Sequence, residues 1–219
     1  MVEILVGIVI GIATNLAAWW FLFHLIVPKL TFSVSISKIP APKNENERSG
    51  FKYRIKIQNS GKRGVIDVDV MARLRIRGIS NISKTNWHVI NMPISSEGKV
   101  YKIPRILSIK NKSAHTHTLK LLINNVPEIQ HNLIYPKKIR DKAKKHTLVL
   151  EDLLSLGTES NIQIIAFGYD EFSGTRKIFV SKRYILNDIK VGSFYSKGLE
   201  VNVVRHEEAE FNGDDDKDG

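Results

Sequence analysis

The chain has 219 residues, no cysteine and a formal net charge of +11. The lack of cysteine excludes thiol catalysis, cysteine-ligated zinc and disulfide bonds, and it fits a reducing compartment. The length suits one membrane segment followed by one domain, and the positive charge favours an anionic partner surface.

The first predicted element is an apolar run over residues 4–27, which contains no Lys, Arg, Asp or Glu. About 20 such residues cross a hydrocarbon core of about 30 Å, and in lipid the run has to be helical to satisfy its own backbone. We therefore predict a transmembrane anchor over residues 1–28. A cleaved signal peptide is the alternative, but its basic start and its small-residue cleavage site are both missing here.

The charges that flank the apolar run predict its orientation. Glu3 is the charged side chain before it, whereas Lys29, Lys38, Lys43 and Arg48 follow it. Because basic residues are retained on the cytoplasmic side, we expect a single-pass protein of the cell membrane with its C-terminal domain in the cytoplasm.

One side of the predicted membrane helix carries small and polar residues. Gly7, Gly11, Asn15 and Ala18 recur at spacings of three and four, which places them on one helix face. Small residues let helices approach closely, and Asn15 can hydrogen-bond across the contact. This stripe predicts a homo-oligomer through the membrane helix, although glycine is also common in membrane helices that face lipid.

Residues 29–204 predict a mainly β domain. The apolar residues of 31–38 alternate, with Phe32, Val34 and Ile36 on one face, and residues 66–76 alternate over six apolar positions that include Ile66. The other predicted strands span residues 51–57, 87–92, 100–107, 115–123, 162–168, 177–184 and 199–204. Since no helix alternates regularly with these strands, the pattern favours an antiparallel β-sandwich of immunoglobulin-like type.

Three segments of the domain are not predicted as strands. Residues 148–156 predict one short helix that ends at Gly157. Residues 189–194 predict a short turn. Residues 124–146 show no clear period, so we interpret them as an exposed insertion that contributes little to the core.

The insertion contains the strongest local charge of the chain. Its bases are Lys137, Lys138, Arg140, Lys142, Lys144 and Lys145. We interpret them as a contact for anionic lipid, because the anchor holds the domain beside a leaflet and each base near such a surface contributes about 1 kcal/mol. Nucleic acid is the less favoured partner, since stacking aromatic residues are scarce nearby. A solvated loop is the other alternative.

Residues 205–219 predict a disordered acidic tail. Seven acids and one base give residues 206–219 a charge of −6, which leaves +17 on residues 1–205. Opposite charges on one chain attract, so the tail is expected to compete with an anionic partner for the basic body.

Residues 148–194 also suggest a family. The segment contains, in order, a short helix, a strand, an acidic hairpin at Asp170 and Glu171, the pair Arg183-Tyr184 and the motif 192–194. In this order of features it resembles the end of the cytoplasmic domain of inward-rectifier potassium channels. The resemblance implies an immunoglobulin-like fold in the cytoplasm, but without a pore helix or a TVGYG-type filter it does not imply conduction.

The sequence contains no motif of a known catalytic site. His115 and His117 lie two apart on a predicted strand and could begin a metal site, although two partly exposed strand histidines need no metal. We therefore expect a non-enzymatic binding or assembly module without a cofactor, with the bilayer and a protein as its candidate partners. The alternatives are an auxiliary or remnant subunit of a channel or transporter and, more remotely, a membrane-bound metal-dependent hydrolase.

Overall fold

The structure is a computed structural model of the whole chain. It describes residues 2–41, 50–79, 85–96, 106–107, 116–123, 126–195 and 198–203. Three predictions lie outside these residues: the acidic tail 205–219, residues 100–105 of one predicted strand, and His115 of the histidine pair.

The N-terminal segment is one apolar helix, as predicted. Helix α1 spans Val2–Trp20 and continues into a π-helical turn, Phe21–Leu25. The 22 residues of Val2–Phe23 are long and apolar enough to cross a membrane. At about 1.5 Å per residue they extend about 33 Å. No side chain of α1 is buried, so α1 is not a core helix of the domain.

The remaining described residues form mainly strands. In chain order the strands are β1 (Leu30–Phe32), β2 (Ile36–Pro40), β3 (Phe51–Asn59), β4 (Val65–Arg77), β5 (Trp87–Met92), β6 (Ile94–Ser96), β7 (Ile106–Leu107), β8 (Thr116–Leu121), β9 (Glu159–Asp170), β10 (Arg176–Tyr184), β11 (Ile189–Phe194) and β12 (Val201–Val203). They form two packed sheets, which confirms the predicted β-sandwich.

The two sheets contain seven and five strands. The larger has the order β12-β11-β2-β3-β8-β6, with β1 also beside β3, and the smaller has the order β10-β9-β4-β5, with β7 also beside β4. All these pairs are antiparallel except β2 with β11, which run parallel. The predicted antiparallel sandwich is therefore correct apart from this one pair.

Three details of the predicted strands are wrong. The strand predicted over residues 31–38 is broken between β1 and β2, where Ser33 is buried and Val34 points outward. In β4 the inward residue is Val65 rather than Ile66, because a bulge with a positive φ at Asp67 shifts the alternation by one residue. Residues 189–194 form strand β11 rather than a turn.

The helices of the domain are short. They are α2 (Pro127–His131), α3 (Lys137–Lys144) and α4 (Leu150–Leu154), and a 3₁₀ turn spans Leu186–Asp188. The predicted helix is α4, which confirms that prediction. The predicted insertion, however, contains α2 and α3. They place Ile129, Tyr135 and Ile139 in the main core, so this segment is part of the domain.

The core lies between the sheets in two clusters. The larger joins both sheets to α2, α3 and α4 and includes Tyr53, Leu74 and Leu153. The smaller includes Leu30, which follows the apolar helix in the chain, together with Ile57 and Val65. Burying each large apolar side chain contributes roughly 1.5–3 kcal/mol, so the two clusters supply most of the driving force for folding.

Candidate functional site

The end of the apolar helix α1 forms a specific contact with the sandwich. In a regular α-helix the Ile26 N–H would donate to the carbonyl of Leu22, but in the π-helical turn it donates to Phe21 O at 3.3 Å. The carbonyl of Leu22 accepts instead from Arg63 Nη2 at 2.7 Å. The π-helical turn therefore provides an acceptor, and an arginine of the sandwich occupies it.

Arg63 connects three parts of the chain. It lies in the β3–β4 turn and is buried, with Nη1 at 3.4 Å from Asp170 Oδ2. Its guanidinium carbon lies 4.2 Å from the centre of the Phe172 ring. Asp170 and Phe172 belong to the hairpin tip, which we define as residues 170–175 between β9 and β10. One side chain thus joins the helix, the turn and the hairpin tip.

Backbone contacts reinforce this connection. Ser60 N–H donates to Lys29 O at 2.8 Å, and Lys62 N–H donates to Val27 O at 3.2 Å. A Cβ added to Gly61 would lie 2.2 Å from the backbone nitrogen of Lys29, so a side chain there would displace the chain that leaves the helix. We call the assembly of residues 21–29, the turn 59–64 and the hairpin tip the junction.

The charge at the centre of the junction is balanced. Burial on its own would raise the pKa of Asp170. Two other effects lower it: hydrogen bonds from the hairpin tip, including one from Phe172 N–H at 3.0 Å, and the positive charge of Arg63. Together they outweigh burial and hold the pKa of Asp170 below its usual value. Asp170 is therefore a carboxylate at neutral pH. A buried pair of opposite charges results, with each partner also hydrogen-bonded to backbone.

The predicted anionic contact lies on α3, which presents its charges on one side. Ile139 and Ala143 point into the core, whereas four of the six predicted bases are exposed. The exposed four are Lys137, Lys138, Lys144 and Lys145. Arg140 is half-buried, and Lys142 Nζ lies 2.7 Å from Asp152 Oδ1, which ties α3 to α4. The structure therefore reduces the predicted set to four freely presented charges.

The exposed face of α3 is shallow. Lys137, Lys138, Lys142 and Lys145 line an open depression of about 480 Å³ together with Asp141 and Thr147. Tyr135, which precedes α3, is only 1% exposed, so it offers no ring on which a base could stack. This face suits a broad anionic surface better than single-stranded nucleic acid.

The junction and α3 lie at opposite ends of β4. The junction adjoins Val65, while Tyr135 packs edge-on against His88, whose partner in the sheet is Ile76. The eleven residue steps from Val65 to Ile76 correspond to about 36 Å at about 3.3 Å per residue. The end of α1 therefore does not by itself bring α3 close to a leaflet that α1 would cross, and that closeness was the reason for predicting anionic lipid as the partner.

The small residues of the membrane helix all lie on exposed helix surface. The side chains or backbone of Gly7, Gly11, Asn15 and Ala18 are exposed, and a Cβ added to either glycine would meet no atom of the described residues within 4 Å. Thr14 on the same side donates its hydroxyl to Ile10 O at 2.9 Å. The stripe is therefore available for a contact between helices.

The sequence interpretation did not identify one further charged cluster. Lys38 Nζ lies 2.5 Å from Glu151 Oε1, and the Tyr53 hydroxyl donates to the same carboxylate. Burial raises the pKa of Tyr53, and the hydrogen bond to Glu151 and the negative charge of Glu151 raise it further. This tyrosine therefore stays protonated. The cluster joins α4 to β2 and β3, and its polar groups satisfy one another as a structural connection would.

In the described part of the chain, no group of three or more His, Cys, Asp or Glu side chains could hold a metal ion. These residues therefore supply no ligand set for a metal-dependent activity. His117 is half-buried on β8, and His131 is exposed on α2. No protein-family model and no curated protein matches this sequence. The resemblance to inward-rectifier channels therefore stays a prediction, and the function has to be argued from the junction and α3.

Proposed function

We propose that this protein is a single-pass protein of the cell membrane whose cytoplasmic β-sandwich is a non-enzymatic binding or assembly module. The observation that carries the proposal is the junction, in which Arg63 bonds the last turn of an apolar helix to the interior of the sandwich. A flexible tether would need no such contact. A rigid connection is expected where the orientation of the domain relative to the membrane matters for its partner.

We assign the partner-binding surface to α3 and propose an anionic lipid surface as its partner. The four exposed lysines supply the charge, and the lack of an exposed ring on Tyr135 makes base stacking unavailable. Because α3 is about 36 Å along β4 from the junction, the lipid surface is either the same leaflet reached by a tilted sandwich or an apposed membrane. Self-association through Gly7 and Gly11 would multiply the lysines on one assembly.

The topology tests the core of the proposal. A reporter that is active only in the cytoplasm is fused to the C-terminus, and a second reporter that is active only outside the cell is fused in parallel. Activity from the cytoplasmic reporter alone is expected, because basic residues follow the helix. Activity from the outside reporter alone would overturn the proposal.

A second test identifies the binding class. The intact protein is extracted from native membranes in mild detergent, and the proteins that copurify are identified. Recovery of a channel or transporter at a stoichiometric level would favour the auxiliary subunit over the lipid-binding module. Recovery of the protein alone, together with bound anionic lipid, is the result expected here.

A further inference from the structure

The hairpin tip presents a large apolar ring to the outside in a fixed geometry. Phe172 is 63% exposed. The turn that carries it is closed by hydrogen bonds from Gly174 N–H to Asp170 O at 2.8 Å and from Asp170 N–H to Thr175 O at 3.0 Å. The exposure of the ring is therefore a property of an ordered turn. A single exposed ring is common on protein surfaces, so its position relative to the bilayer has to carry the argument.

Two contacts locate this ring relative to the bilayer. The ring stacks on Arg63, and Arg63 donates to the carbonyl of Leu22. Leu22 is the last residue but one of the apolar stretch Val2–Phe23. If that stretch crosses the membrane, the ring lies at the boundary between hydrocarbon and headgroups. This placement does not depend on how the rest of the sandwich is tilted.

The surroundings of the ring fit the same layer. Trp19, Trp20 and Phe23 are exposed at the end of the helix, with the rings of Trp19 and Phe23 5.6 Å apart. Lys29 and Lys62 are exposed beside them. Aromatic rings and lysines are the residues that prefer the headgroup layer, because they combine an apolar body with a polar or charged end.

We propose that the hairpin tip is a second membrane contact, in which Phe172 inserts into the interfacial layer of the leaflet where α1 ends. This inference rests on the proposed membrane span. The contact limits the tilt of the sandwich relative to the bilayer plane, because a second point of attachment beside the helix resists tilting that would lift it out of the interfacial layer.

The chain contains no cysteine, so single cysteines report on chosen positions in the full-length protein. Thr175→Cys carries a spin label at the exposed hairpin tip, with Phe172 intact, and the protein is reconstituted in vesicles. Leu16→Cys reports on the helix. Accessibility to oxygen, which is soluble in lipid, is compared with accessibility to a water-soluble nickel complex. At Thr175→Cys we expect a ratio severalfold above that of free label in water.

Removing the ring should move the tip label into water. In the Thr175→Cys background, Phe172→Ser is expected to return the ratio to the aqueous value. Ile178→Ser is the matched control, because Ile178 is 62% exposed on the neighbouring strand β10 but lies outside the contact with Arg63. It should leave the ratio unchanged.

The outcomes separate this inference from the membrane span. The second contact is overturned, and the anchor is left intact, if the ratio of oxygen to nickel accessibility at Thr175→Cys equals that of free label in water while the ratio at Leu16→Cys is that of a label in lipid. A ratio that does not change with Phe172→Ser also overturns it. An aqueous ratio at Leu16→Cys overturns the span and, with it, this inference.

Discussion

The junction and α3 use positive charge in opposite ways. At the junction a single arginine is buried and has three partners, namely a helix carbonyl, a carboxylate and an aromatic ring. On and directly after α3 four lysines are exposed, and three of them, Lys137, Lys138 and Lys145, line an open depression. The comparison teaches that local charge density in a sequence indicates an exposed surface. A charge with an internal role depends on residues far away in the chain, and no local pattern reveals it.

The largest expected effect is on the junction. Arg63→Met keeps much of the side-chain volume but leaves the Asp170 carboxylate buried without its charged partner. Breaking a buried ion pair in this way costs about 3–5 kcal/mol. We expect the free energy of unfolding of the full chain in detergent micelles, measured by circular dichroism with denaturant, to fall by that amount.

Two variants control this measurement. Arg63→Met combined with Asp170→Asn removes both charges and should recover a large part of the lost stability, since no unpaired charge remains. Arg183→Met, at an exposed position, should change the free energy of unfolding by less than about 0.5 kcal/mol. A junction variant as stable as Arg183→Met would show that Arg63 is a loose surface contact.

The next effect is on α3 and should leave stability unchanged. Lys144→Ala with Lys145→Ala removes two exposed bases, each of which contributes about 1 kcal/mol at an anionic surface. We expect affinity for anionic vesicles to fall roughly 30-fold, at about 1.4 kcal/mol per tenfold. The full chain is held in neutral-lipid nanodiscs, so that the binding measured is to the added vesicles.

The matched control is Arg183→Ala with Lys190→Ala, which removes the same charge from exposed positions away from α3. Its affinity for anionic vesicles should stay within about threefold of the parent, because these charges act only through the long-range electrostatic field of the whole protein. Equal losses in both pairs would mean that net charge rather than α3 carries the binding. Salt-sensitive binding to an oligonucleotide without lipid preference would reassign the surface to nucleic acid.

A further arm locates the lipid surface. Anionic lipid is included in the nanodisc itself, and capture of the added vesicles is measured again. A strong decrease would show that α3 reaches its own leaflet, and unchanged capture would show that α3 binds an apposed membrane. Over a Debye length of about 8 Å the attraction fades, so a sandwich that holds α3 well away from the disc leaves capture unchanged.

A smaller effect concerns the membrane helix beyond the junction. Gly7→Leu with Gly11→Leu separates the backbones of two associating helices, and we expect self-association in membranes to weaken by about 1 kcal/mol, the scale of such contacts. Val9→Leu, on another side of α1, is the control and should have no effect. Energy transfer between labelled chains measures the association. A result equal to that of the control would assign the stripe to lipid.

The smallest effect is the dependence of the junction on pH. The folded pKa of Asp170 lies below its unfolded value of about 3.9, so its contribution to stability is fully present above that value and is lost as the pH falls through the folded pKa. The difference in stability between the parent and Asp170→Asn should therefore be constant from pH 5 to 8 and shrink below about pH 4. A difference that shrinks near pH 6 would contradict this assignment.

Sequence patterns predicted the parts of the fold that depend on local order. The apolar run predicted α1, the alternation from Val68 to Ile76 predicted most of β4, and Gly157 predicted the end of α4. The predicted inward and outward positions were wrong near a strand end, where the folded backbone departs from the local pattern. The positive φ at Asp67 brings Val65 inward and turns Ile66 outward. Nothing in the local sequence specifies that bulge.

One further error had a signal that was available in the sequence. Ile139 and Ala143 are four residues apart and follow Pro136, which is the spacing and the start of a short amphipathic helix. Residues 124–146 as a whole show no clear period, however, and this led to the interpretation as an exposed insertion. For Arg63 no such signal exists. Its partners lie 41 residues before it and 107 residues after it, so only the folded chain brings them together.

The parallel pair of β2 and β11 has a consequence for the order of events during synthesis. Ser37 Oγ donates to Gly192 O at 2.5 Å across 155 residues of sequence. At about 5–20 residues per second the ribosome needs roughly 8–30 s to supply that partner. Throughout this interval α1 has already been synthesised, while β2 waits with one edge unpaired. If α1 spans a membrane as proposed, the sandwich therefore completes its larger sheet at the membrane surface, after α1 has left the ribosome.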